Sequence, residues 1–95
     1  MIDYEKKIKQ NLIHFLEPLV LEVFNESHLH AGHGPETNNS HFHVLVVSEK
    51  FEKTSRIARH RLVYSSLKKN IEDHIHALRI TALTPAEYEI KNKSS

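Results

Sequence analysis

Cysteine is absent from the 95-residue sequence. Disulfide bonds, a thiolate nucleophile, and sulfur ligation of zinc or iron–sulfur centres by this chain are therefore excluded, because each needs sulfur that the chain does not carry. Any metal chemistry must use nitrogen or oxygen. Glycine (2) and proline (3) are scarce and no low-complexity tract is present. Disorder is expected only around Gly32 to Asn39 and in the tail Lys91 to Ser95. No apolar run approaches the ~20 residues needed to cross a bilayer. The start Met1-Ile2-Asp3-Tyr4-Glu5-Lys6-Lys7 has no apolar signal region, so a cytoplasmic protein without membrane attachment is expected. Catalytic signatures are missing too: there is no Gly-x-Ser-x-Gly elbow, no phosphate-binding glycine loop and no paired acids in a strand-end setting. A non-enzymatic binding protein is the expected class.

What the chain does contain is enough apolar material for one core. With 39% hydrophobic and 26% charged residues, residues 1–90 are expected to form a single domain and 91–95 a disordered tail. The net charge of +1 hides an asymmetry: from Lys50 to Lys69 there are seven Lys and Arg residues against the single acid Glu52, out of 13 basic residues in all.

Periodicity divides the chain into six elements. Ile8, Leu12, Phe15 and Leu16 fall at helical spacing, with Asp3 as N-cap and Pro18 as terminator. Leu19 to Asn25 is too short for a further helix and reads as a strand ending in the turn-forming Asn25-Glu26-Ser27. His41 to Ser48 gives the strongest strand pattern, with Phe42, Val44 and Val46 on one face and His43, Leu45 and Val47 on the other. Thr54 or Ser55 caps a long helix that is expected to turn Ile57, Leu62, Val63, Leu67 and Ile71 inward, with a break allowed within it. Ala77 to Leu83 alternates as a third strand. Thr84-Pro85-Ala86-Glu87 forms a capping box with proline at the first helical position, opening a short terminal helix.

The order α-β-β-α-β-α defines an α+β domain with a three-stranded mixed sheet and helices on one face. The first two strands form an antiparallel hairpin across a loop of roughly 15 residues. The third returns through a helix, and if it pairs with the second the right-handed crossover makes those two parallel. Parallel neighbours start at the same sheet edge, so His28, His30, His33, His41, His74 and His76 can converge at one rim.

Nine histidines is high for this length, and six of them form the His-x-His pairs His28/His30, His41/His43 and His74/His76. Imidazole suits zinc, copper, nickel and iron. A closed zinc site needs three or four ligands of fixed geometry, which such pairs alone do not supply; the plain alternative is surface histidines at strand ends. The basic stretch containing Arg56, Arg59, His60, Arg61 and Lys68 could meet nucleic-acid phosphates. Its plain alternative is a solvated helix face, since no aromatic platform is interleaved with it.

Four segments in order, LEVFNESHLH from Leu21, SHFHVLVVSEKF from Ser40, RHRLVYSSL from Arg59 and IHALRITALTPAEY from Ile75, resemble the BolA family over nearly the whole chain to Tyr88. The resemblance implies a fold like the class II K-homology domain, with a split middle helix. It also implies a monothiol glutaredoxin as partner and a [2Fe-2S] cluster shared with it. In such a complex the partner brings cysteine and glutathione sulfur while this chain brings histidine. The ligand implied by the IHAL motif is His76, and the second lies in the hairpin loop at His30, with His28 and His33 as less favoured candidates. Asn38 and Asn39 lengthen that loop relative to the family pattern. No cluster is expected on the isolated chain, which should be a monomer or weak homodimer. The family also includes DNA-binding transcriptional regulators, which would use Arg56, Arg59, His60, Arg61 and Lys68. Against that use, the Gly-x-x-Gly loop with which K-homology domains clamp nucleic acid is missing, the only glycines being Gly32 and Gly34.

Overall fold

The structure, a computed structural model, describes residues 4–26, 41–74 and 77–93. Helix α1 (Tyr4–Leu16) leads into strand β1 (Val20–Asn25). Strand β2 (His41–Val47) is followed by one turn of 3₁₀ helix (Glu49–Phe51), helix α2 (Arg56–His74), strand β3 (Ala77–Leu83) and helix α3 (Pro85–Lys93). The expected order and strand positions are observed, with β3 at the expected residues. Three expectations change. α2 runs unbroken rather than split. The terminal helix extends to Lys93, so Lys91 to Lys93 are helical rather than a disordered tail. Leu19 falls outside β1 and Ser48 outside β2, although the Leu19 N–H still donates to Val47 O at 2.8 Å. The proposed N-cap Asp3 lies outside the described residues.

The sheet has the order β1-β2-β3. β1 runs antiparallel to β2, with Val23 opposite Val44, and β2 runs parallel to β3, with His41 opposite Ala77 and Val47 opposite Leu83. Period-2 alternation then decides which side chains share a face. Val23, Phe42, Val44, Val46 and Ala82 turn to the core, where they meet Tyr4, Ile8, Leu12 and Leu16 of α1, Phe51 of the 3₁₀ turn, and Val63 and Leu67 of α2. Phe42, Val44, Val46, Phe51, Ile8, Leu12, Val63 and Leu67 are each under 2% exposed. Burial at this level contributes on the order of 1.5–3 kcal/mol for each large apolar side chain.

Helix α1 stops in the left-handed region at Glu17 (φ 45°), just before Pro18, which cannot continue a helix. Buried Ser48, at the end of β2, donates to Leu16 O at 2.7 Å and accepts from Lys50 N–H at 3.1 Å. A carbonyl orphaned at the helix end is thereby satisfied, and α1 is tied to the sheet. α2 starts where Ser55 Oγ accepts from Ala58 N–H at 3.1 Å. α3 starts at a reciprocal capping box: Glu87 N–H donates to Thr84 Oγ1 at 3.2 Å, and Thr84 N–H donates to a Glu87 carboxylate oxygen at 2.8 Å.

The inward line of α2 is only partly the one its apolar residues suggest: Val63 and Leu67 turn inward as expected, Ile57 and Leu62 do not, and the side chain of Ile71 lies outside the described residues. Ile57 is 67% exposed and Leu62 40% exposed, while Arg59 is 8% exposed. Arg59, Val63 and Leu67 stand four apart, so a guanidinium occupies the first position of the core-facing stripe. It reaches across to β3 and α3. Leu83 O accepts from Ser48 N–H, on the β2 side, so by alternation the backbone groups of Leu78, Ile80 and Ala82 face the free edge of β3. There Arg59 Nη1 donates to Ala82 O at 3.2 Å, and the Tyr64 hydroxyl approaches Leu78 O at 3.5 Å.

Candidate functional site

Two regions correspond to the residues singled out in the sequence: the histidine edge of the sheet and the outer face of α2. At the sheet edge, β2 begins at His41 opposite Ala77, where β3 begins. Glu26, just past the end of β1, donates its N–H to His41 O at 2.8 Å. The chain therefore leaves β1, re-enters β2 and enters β3 at one edge, with α2 ending at His74 just before it. His28, His30, His33 and His76 lie outside the described residues, as does the side chain of His74. Among the described residues, no group of three or more His, Asp or Glu side chains is arranged to hold a metal ion.

His41 and His43 share the face of β2 opposite the core, and His43 is engaged there. Its Nε2 is 3.0 Å from Thr81 Oγ1 on β3, and its ring lies 5.6 Å from that of Phe24 on β1. Beside it Arg79 binds Glu26 through two hydrogen bonds of 3.1 and 2.8 Å. Burial, and then the Arg79 and Lys91 charges, lower the His43 pKa, while Glu26 acts in the opposite direction. The neutral imidazole is therefore favoured. This cross-strand set was not recognisable in the sequence as a group, because register rather than spacing brings Phe24, His43 and Arg79 side by side.

On α2, the residues expected to meet phosphates divide. Arg56 and Arg61 are exposed, and among the described residues neither has a carboxylate partner. His60 Nδ1 lies 2.8 Å from Arg56 O, and since a carbonyl only accepts, that nitrogen is the donor. Lys68 lies on α2, but its side chain is outside the described residues. Arg59 is turned away from this face. Its Nη1 and Nη2 bind the Glu87 carboxylate at 2.6 and 3.3 Å, and its Nε donates to Thr54 O and Oγ1 at 3.2 Å each. Donation from Arg59, followed by the Thr84 N–H bond, lowers the Glu87 pKa to about 2. Arg59 and Glu87 thus form a structural clamp between α2, β3 and α3. The clamp has one legible half in the sequence, since the capping box fixes where Glu87 points.

Two concavities lie along α2. One of about 640 Å³ has a mostly apolar lining that includes Ile57, His60 and Tyr64. The other, about 380 Å³, lies between α2, β3 and α3 and includes Arg56, His60, Ile80 and Lys91 in its walls. No helix among the described residues is long and apolar enough to cross a membrane.

A family model described as "BolA-like protein" matches residues 12–87. A BolA-like protein of Dictyostelium discoideum is 45% identical over 91 residues, which cover 95% of this chain and 78% of that protein. A protein of Vibrio cholerae named as DNA-binding transcriptional regulator BolA is 41% identical over 88 residues, covering 93% and 81%. Among solved structures, the BolA domain of SufE1 from Arabidopsis thaliana superposes with a TM-score of 0.81 at 39% identity. That match covers 92% of this chain and 98% of the domain.

Proposed function

The chain belongs to the BolA family, and from that membership we propose that it is a non-enzymatic, cytoplasmic adaptor that binds a monothiol glutaredoxin and shares a [2Fe-2S] cluster with it. His76 serves as one ligand and a histidine of the β1–β2 connection as the other, His30 before His28 or His33. The observation that carries this reading is the parallel start of β2 and β3, with His41 opposite Ala77. The connection that ends at β2 and the residue that directly precedes β3 are thereby tied to one sheet edge by the chain itself.

The donor chemistry is consistent with a shared site. This chain has nine histidines and no cysteine, so it can contribute imidazole nitrogen and must leave thiolate ligation to a partner and its glutathione. When bound, the cluster supplies one-electron chemistry and is itself the cargo of a trafficking or sensing role. This chain's part is to contribute imidazole ligands.

The test is to mix the purified chain with a monothiol glutaredoxin, glutathione, ferrous iron and sulfide, and to record the visible circular dichroism. The expected spectrum differs from that of the glutaredoxin homodimer, and His76→Ala removes the difference. An unchanged spectrum with His76→Ala sinks the ligand assignment, and His30→Ala, His28→Ala and His33→Ala compared singly identify the second ligand.

A second reading, a DNA-binding regulator, is favoured by the exposed Arg56 and Arg61 on α2 and by the printed name of the Vibrio relative. It predicts duplex binding that weakens steeply with salt. Undiminished affinity in Arg56→Ala/Arg61→Ala rejects it. Arg59 is left out of that pair because its guanidinium is committed to Glu87.

A further inference from the structure

We propose that the two concavities along α2 form one binding trough for a small organic phosphate, with the phosphate in the α2–β3–α3 cleft and an apolar body against Ile57 and Tyr64. The inference is independent of the cluster reading and concerns a different part of the molecule. Its basis is a juxtaposition: the apolar concavity of about 640 Å³ and the polar one of about 380 Å³ share Arg56 and His60 as walls. The polar one falls within the range of roughly 300–1,000 Å³ usual for small-molecule sites, while the apolar one is a shallow, open face of α2. A ligand spanning both must therefore be amphiphilic, with its charged end at the polar side.

The sign of that charge follows from a count. The permanent charges in the polar cleft are Arg56, Arg59, Lys91 and the carboxylate of Glu87. Glu87 and Arg59 neutralise each other through two hydrogen bonds, which leaves Arg56 and Lys91. Among the described residues, neither has an acidic partner. Two free cations contributed by two different helices match a dianionic phosphate better than a single carboxylate.

The backbone adds to the same sign. The first turn of α2 carries no acidic residue, so nothing offsets the positive end of its dipole at Arg56. Ile80, whose backbone groups face the free edge of β3, supplies an N–H donor in the same wall. On the apolar side, Ile57 is 67% and Tyr64 42% exposed, and burying them under a ligand body would be favourable.

Phenyl phosphate is a suitable probe, because inorganic phosphate and phenol represent its two halves. Titrations of the ¹⁵N-labelled full chain are followed by amide shifts at constant ionic strength. Phenyl phosphate should saturate shifts at Arg56, His60, Ile80 and Lys91, with affinity roughly tenfold above that of inorganic phosphate, whereas phenol alone should not saturate. Arg56→Ala and Lys91→Ala, both at exposed positions, should each weaken phenyl phosphate by roughly tenfold. Ile57→Ser should narrow the gap between phenyl phosphate and phosphate while leaving inorganic phosphate unchanged. Shifts that never saturate, equal affinity in the Arg56 and Lys91 variants, or saturation by a short DNA duplex but not by phenyl phosphate would each overturn the proposal. The last outcome would assign these cations to the nucleic-acid reading.

Discussion

Replacing Arg59 by alanine should destabilise the fold severely, and the Glu87 carboxylate gives a handle on how much of the loss is electrostatic. Arg59 is 8% exposed and donates to Glu87, Ala82 O and Thr54. Its removal strands the buried Ala82 carbonyl, a half-buried Thr54 carbonyl and the half-exposed Glu87 carboxylate, and truncating one partner of such a set costs about 3 kcal/mol. For a domain of this size that lowers Tm by roughly 12–24 °C.

The stabilisation carried by the ionised Glu87, shared between Arg59 as the larger contributor and the Thr84 cap, can be worked from its pKa. A pKa lowered from 4.5 to about 2 corresponds to roughly 3 kcal/mol at 1.36 kcal/mol per unit. However, 45% of the Glu87 side chain is exposed. Solvent screening reduces the usable part to about 1 kcal/mol. Because the folded-state pKa lies below the unfolded one, this stabilisation is present above pH 4.5 and is lost as pH falls toward 2.

Glu87→Gln isolates the charge, since glutamine also serves in a capping box. Urea unfolding of the wild type, Arg59→Ala, Glu87→Gln and the double variant should give a coupling energy of about 1 kcal/mol at pH 7. Wild type and Glu87→Gln should converge in stability as the pH is lowered below the usual carboxylate range. A coupling below roughly 0.3 kcal/mol, or pH profiles that stay parallel, would refute the clamp. Arg59→Ala protein of unaltered stability would refute the assignment of Arg59 to the interior.

Other outcomes follow from the same contacts. Thr84→Ala removes the Oγ1 acceptor of Glu87 N–H and should cost about 1 kcal/mol in urea unfolding. On α2, Leu67→Ala should cost roughly 2–5 kcal/mol by opening a cavity at a fully buried position, while Ile57→Ser should change stability by no more than ~0.5 kcal/mol. His43 should titrate below 6.5 when followed by NMR, and Arg79→Gln should raise its pKa by removing a nearby cation and releasing Glu26. With a folded-state pKa below the unfolded value, the His43 contribution is present above pH 6.5 and declines as pH falls through that value. A His43→Gln variant should lack that part of the pH dependence.

The legible parts of this fold are those written in local pattern. Alternation in Ala77 to Leu83 defines β3, and Thr84 with Glu87 announces the start of α3. The parallel pairing of β2 and β3 follows from the helical crossover, and with it the alignment of His41 and Ala77. α2 was harder to read because its inward stripe includes an arginine. Apolar periodicity assigns Ile57 and Leu62 to the core together with Val63 and Leu67; the last two are buried, but Arg59 turns inward where the first two are expected. The partner that makes an inward arginine tolerable, Glu87, lies 28 residues away in sequence, beyond any local window. The same limit applies to His43, whose neighbours Thr81 and Phe24 are brought to it by strand pairing.

The free edge of β3 has a bearing on how the chain behaves in a crowded solution. An edge strand with unoccupied backbone groups is a template on which another chain can add a strand. Here the outward carbonyls at Ala82 and Leu78 are taken by Arg59 and approached by Tyr64, which leaves the Ile80 carbonyl as the open acceptor between them. With acceptors removed on both sides of it, the edge is a poor template for strand addition. Loss of the Arg59 side chain would therefore lengthen the available template as well as loosen the helices. Such a variant should form sheet-edge aggregates at concentrations where the wild type does not.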